Sequence, residues 1–119
     1  MTPRLAVCIM ALLSACDRSP APTQQEMNVD SAAAAEAAHR ELQARYDSIA
    51  RRLDGGDRAR LAEAQRAWER YRDRNCAAEA ALYEGGSGAP LMQAACLAVN
   101  DRARLAEIQR IYVEQFGLD

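Results

Sequence analysis

Apolar residues spaced three and four apart, in blocks closed by paired glycines, leave this chain little freedom beyond helices. Ala38, Leu42, Tyr46, Ile49 and Leu53 follow one another at intervals of four, four, three and four, which places them on one helical face. Asp30 or Ser31 stands where a cap for that helix is needed, and Gly55-Gly56 stands where it should end. A second helix is predicted from about Asp57, with Leu61, Ala64, Trp68, Tyr71, Asn75 and Leu82 near one stripe, until Gly85-Gly86 breaks it. A third begins near Pro90, a residue suited to a first turn, and runs through Leu91, Ala95, Ala98, Leu105, Ile108 and Tyr112 to Gly117, with Asn100 the candidate place for a kink. No stretch alternates with period two. The expected fold is all-α: a small three-helix bundle, or a helical hairpin plus one helix.

The core of such a bundle must be thin. Of the 119 residues half are hydrophobic, but 26 are alanine and the aromatics are one Trp, four Tyr and one Phe, so the helices meet through small side chains and a covalent staple would help. The formal charge is -2, and every one of the 15 basic residues is arginine. These arginines alternate with acids and form no run, which argues against nucleic-acid binding and for a solvated, salt-bridged surface.

The first sixteen residues, MTPRLAVCIMALLSAC, carry Arg4, then an apolar stretch from Leu5 to Leu13, then small residues before a cysteine, the pattern of a secretory signal. An apolar run of that length falls short of the roughly 20 helical residues that cross a bilayer. Leu13-Ser14-Ala15-Cys16 resembles the bacterial lipobox, which implies cleavage before Cys16 and lipid on its thiol; the competing reading is an ordinary small-residue cleavage site beside an incidental cysteine. The organisation expected is a cleaved leader over 1–15, a polar, proline-bearing tether over 16–29 and a helical domain over 30–117. That places the chain in the bacterial envelope on the periplasmic side. By resemblance to the enteric sorting rule, Asp17 favours the inner membrane.

With Cys8 lost in the leader and Cys16 lipidated, Cys76 and Cys96 remain as the one pair. In an antiparallel hairpin turning at about 84 to 90 they sit at similar heights on facing helices. A bond closing about 20 residues stabilises by on the order of 3 kcal/mol. Zinc needs four ligands, and beyond these two thiols the chain offers a single histidine, His39, read as a half-exposed helix residue; no metal or cofactor is expected. Nor is an enzyme: there is no nucleophile elbow, phosphate loop or ligand cluster, and Glu63 and Glu69 fall within interleaved surface charge. One repeat stands out, DRARLAEAQRAW (57 to 68) against DRARLAEIQRIY (101 to 112). Duplication of a helix and convergence within an alanine- and arginine-rich vocabulary both account for it.

QRAWERYRDRNC (65 to 76), GGSGAP (85 to 90), Cys96 and Arg102, with Met27-Asn28, Leu42, Tyr46 and Leu53 upstream, resemble the family named for the N-terminal domain of the lysozyme inhibitor LprI. The likeness spans about residues 24 to 110. It departs in one respect: members usually carry a cysteine on either side of the Met-Asn pair, and both are absent here. The resemblance implies a binding protein that inhibits lysozyme-type muramidases in the envelope. Its alternative is a lipid-tethered interaction or scaffolding module with another protein as partner and no effect on lysozyme. Candidate partner-binding residues are Trp68, Tyr71, Arg72, Asp73, Gly85, Gly86 and Ser87. From spacing alone Trp68 and Tyr71 read first as core. Arg72 and Asp73, being adjacent, should each find a partner on another helix. Gly85-Gly86-Ser87 reads as a helix stop and a small exposed loop.

Overall fold

A computed structural model describes residues 20–118, and within them the chain is all-helical. The leader, Cys16 and Asp17 lie outside the described residues. Helix α1 spans Gln24–Arg52, α2 Gly55–Ala81 and α3 Ala89–Ile108, and α3 passes directly into a π-helical segment, Gln109–Gln115. Helix α3 lies between the other two, which barely touch each other. Asn28 bonds Ser87, Ser31 bonds Leu91, and His39 meets Asp101, so α1 runs parallel to α3, with α2 antiparallel to both. The molecule therefore has two ends: a tip, where α1 starts and α2 turns into α3, and a closed end, where α1 turns into α2 and the chain finishes.

Helix α1 begins earlier than the expected cap at Asp30 or Ser31, and takes in 24–29 of the expected tether. The cause is local: the Thr23 hydroxyl accepts from the Glu26 N–H (3.2 Å) while the Glu26 carboxylate accepts from the Thr23 N–H (2.7 Å), a capping box. Gly55-Gly56 is likewise not the end of α1. Leu53 leaves the helix in extended conformation, the Asp54 carboxylate accepts from the Asp57 N–H at 2.9 Å, and the two glycines form the first turn of α2. Only Gly85 (φ 84°) and Gly117 (φ 67°) hold left-handed backbone among the described glycines. At Gly117 the chain closes in left-handed backbone, with the Gly117 N–H on the Val113 carbonyl and the Leu118 N–H on the Tyr112 carbonyl, each bond one residue longer than in a Schellman turn, in keeping with the π winding before it. Asn100, the candidate place for a kink, lies within the unbroken run of α3, and its side chain folds back to donate to the Cys96 carbonyl (2.9 Å). The irregular winding comes later, at Gln109.

The large buried side chains gather at the closed end, where Leu42, Ile49, Leu61 and Ile108 form the core and Tyr46, Trp68, Leu105 and Tyr112 pack against it. Toward the tip the buried residues are Cys76, Ala80, Ala94, Cys96 and Ala98. Such small side chains remove little apolar surface from water, at about 25 cal/mol per Å². There Cys76 and Cys96 are joined, with their Cα atoms 5.5 Å apart.

Candidate functional site

The residues singled out in the sequence fall into two places about 20 Å apart along α2, at 1.5 Å per residue. Trp68 and Arg72 face inward at the middle of the bundle. Gly85, Gly86 and Ser87 stand exposed at the tip.

At the middle, Asp101 of α3 is only 2% exposed, and a buried carboxylate needs a partner. Arg72 provides it, with Nη1 donating to Asp101 Oδ1 at 2.6 Å; His39 Nδ1 of α1 lies 3.4 Å from the other carboxylate oxygen. Arg72 also donates through Nε and Nη2 to Asp73 (2.9 and 2.7 Å). The expectation that Asp73 would seek another helix is thus corrected: the long arginine side chain curls back far enough to reach its own neighbour. Burial disfavours the Arg72 charge, but the two carboxylates outweigh it and raise its pKa above the ordinary value. Two guanidinium groups lie over the Trp68 ring, Arg72 at 5.2 Å and Arg104 at 5.8 Å from its centre, and Arg104 in turn donates to buried Gln65 (3.1 Å). Among the described residues no buried side-chain nitrogen or oxygen here lacks a partner, and the cluster ties the three helices together. Tyr71 is not core at all: it stands 61% exposed between Arg70 and Arg74.

At the tip, Leu82–Gly88 forms a tight turn held by its own backbone: Tyr83, Glu84 and Gly86 N–H groups donate to the carbonyls of Ala80, Ala81 and Tyr83. The cystine braces it from behind, and Asn28 Nδ2 donates to the Ser87 carbonyl at 3.1 Å. Ser31 Oγ adds a bond to the Leu91 carbonyl at 3.2 Å. Helix α1, with no cysteine of its own at this end, is thus pinned by hydrogen bonds. Sequence reasoning passed over both anchors, although Asn28 belongs to the quoted Met-Asn pair. Leu82 (84% exposed) and Tyr83 project from the turn.

The helix order also sorts the charges. Residues 20–38 and 75–100, which make up the tip half, carry Glu26, Asp30, Glu36, Glu79 and Glu84 and no arginine or lysine. Nearly all the arginines lie in the other half. Among the described residues no group of three or more His, Cys, Asp or Glu side chains is placed to hold a metal, and no helix is long and apolar enough to cross a membrane.

A family model described as lysozyme inhibitor LprI matches residues 16–108. No curated protein and no solved structure matches the chain.

Proposed function

The chain belongs to the lysozyme inhibitor LprI family, and from that premise we propose that it inhibits a lysozyme-type muramidase by presenting Gly85-Gly86-Ser87 of its tip to the enzyme's cleft. One observation carries this reading: an exposed turn, held by its own backbone and the cystine behind it, stands at an end where the described residues include carboxylates and no arginine or lysine. A glycosidase cleft holds two working carboxylates. Gly85-Gly86-Ser87 brings no acid of its own and offers the Ser87 hydroxyl as a donor, so it can enter where a carboxylate would be repelled. Glu79 and Glu84 beside it then face the basic surface common on such enzymes, which speeds encounter. Rigidity matters because ordering a loose loop on binding would cost affinity.

The same proposal holds that residues 1–15 are removed and that lipid on Cys16 anchors the protein in the envelope, on the periplasmic side, with Asp17 favouring the inner membrane. Metabolic labelling with a radioactive fatty acid tests the anchor: label is expected on the chain and absent from Cys16→Ser, and an unlabelled chain removes the anchor from the proposal. A tethered interaction module without effect on lysozyme is the second reading, and exposed Tyr71 between two arginines favours it.

A turbidity assay of peptidoglycan lysis by several lysozymes separates them. Inhibition by the oxidised chain, lost on reduction and lost in Ser87→Asp, is the expected result. Full lysis at large molar excess of the chain rejects inhibition of the enzymes tried and leaves the interaction module.

A further inference from the structure

We propose that α2 is a self-association surface, on which a second copy of this chain packs antiparallel about a two-fold axis near Tyr71. This does not rest on the lysozyme reading. Helix α2 turns one face to α3, yet it carries a second apolar stripe on its outer side: Ala64, Ala67, Tyr71, Ala78 and Leu82, at intervals of three, four, seven and four, all exposed. That spacing is the seam of a helix pair, and its alanines let two backbones approach closely.

The stripe runs into a groove of about 620 Å³ at the closed end, walled by Leu53, Leu61, Tyr112, Phe116 and Leu118, with Asp57 and Arg60 at the rim. Phe116, the single phenylalanine of the chain, is 70% exposed beside it. An apolar groove with an arginine at its edge suits an apolar side chain followed closely by a carboxylate. The tip of α2 displays that sequence, Leu82-Tyr83-Glu84, with Leu82 the most exposed of the large hydrophobic side chains among the described residues.

Occupant and groove lie near opposite ends of one helix and on the same face of it, so one antiparallel pairing satisfies both copies at once: Leu82 of each enters the groove of the other. Tyr71, midway between Asp57 and Leu82, meets its own counterpart. The charges agree at the two ends, because the end carrying Glu79 and Glu84 comes to rest on the end carrying Arg58 and Arg60, while Arg70 and Arg74 of the two copies gather about the axis. Such an isologous contact closes on itself and stops at two copies. A paired copy has its tip covered.

Sedimentation velocity of the full chain over a range of concentrations tests this. A shift from monomer to dimer is expected, and it should be lost in Leu82→Ser. Tyr71→Arg should remain monomeric, since it adds a further cation from each copy to the arginines gathered on the axis. All these side chains are exposed, so the variants fold. A monomer at every concentration overturns the proposal, as does dimerisation of Tyr71→Arg equal to that of the unmodified chain. A monomer that takes an apolar dye, anilinonaphthalene sulfonate, into the groove, with the dye displaced in Phe116→Ser, assigns the groove to a small ligand and also overturns it.

Discussion

At the closed end Leu42, Ile49, Leu61 and Ile108 are each no more than 3% exposed, whereas at the tip end the buried side chains are two half-cystines and a few alanines. The same three helices are thus held by apolar burial at one end and by a covalent bond at the other. The tip end is also the acidic one, and it is where the exposed turn stands. The side chains buried there are small, so the cystine supplies a constraint that packing at that end does not. Between the ends, the Arg72–Asp101 pair marks the boundary.

This contrast is most directly broken from the closed end. Ile49 is fully buried, and Ile49→Ala should lower stability by about 4 kcal/mol through lost apolar transfer and the cavity left behind. Thermal or denaturant unfolding followed by circular dichroism reads the loss, and the cystine should not compensate for it. A loss below about 1 kcal/mol would mean that the closed end is not where burial holds the bundle.

Reducing the cystine, or replacing Cys76 and Cys96 together by alanine, should cost about 3 kcal/mol from the freed closure of the intervening segment. The two effects differ in place as well as size. Amide hydrogen exchange in the reduced protein should accelerate chiefly over 76–100, while protection around Leu42, Ile49 and Ile108 persists. Uniform acceleration along the chain would erase the distinction between the ends.

The bulk of this plan could be read from residue spacing. The apolar intervals located three helices, the pairing of Cys76 with Cys96 followed from counting, and Pro90 and Gly117 marked true ends. The misreadings share a cause, which is that one residue type serves several local geometries. Gly55-Gly56 looked like a stop and is a first turn, because Asp54 caps it. The Thr23–Glu26 capping box was present in the sequence, but two nearby prolines gave the segment the appearance of a tether. The internal repeat is the sharpest case. Asp57 and Asp101 occupy the same position in it, yet Asp57 is exposed and Asp101 is buried on Arg72; Ala64 is exposed where its equivalent, Ile108, is core. Only packing separates them. The separation of charge between the two halves was hidden for the same reason: acids and arginines alternate along the chain, and sort only once α1 and α3 run parallel.

Asn28 tests how the tip is held apart from its cystine. Asn28→Ala removes the bond to the Ser87 carbonyl, and the expected cost is about 1 kcal/mol. Exchange at the amides of 85–89 should quicken with the cystine intact, and lysozyme inhibition should weaken if a fixed turn is what the enzyme meets. An unchanged turn in this variant would assign the whole of its rigidity to the covalent bond.

The smallest effect belongs to the first turn of α1, the part of the tip end farthest from the staple. The Glu26 carboxylate accepts from the Thr23 N–H and from its hydroxyl, and these bonds hold its pKa below the ordinary carboxylate value. A carboxyl whose folded pKa is depressed stabilises fully above its unfolded pKa, and that contribution is lost as pH falls through the folded value. Acidification through and below the usual carboxylate range should therefore fray residues 24–27 before the cystine-braced turn responds. The amide signals of this first turn, followed by NMR during an acid titration, should shift with an apparent pKa below that of a free glutamate. Glu26→Gln should lack the transition. Were the turn at Leu82–Gly88 to titrate together with Glu26, the start of α1 and the tip would be one cooperative unit, and the hydrogen bonds from Asn28 and Ser31 would couple them more tightly than their number suggests.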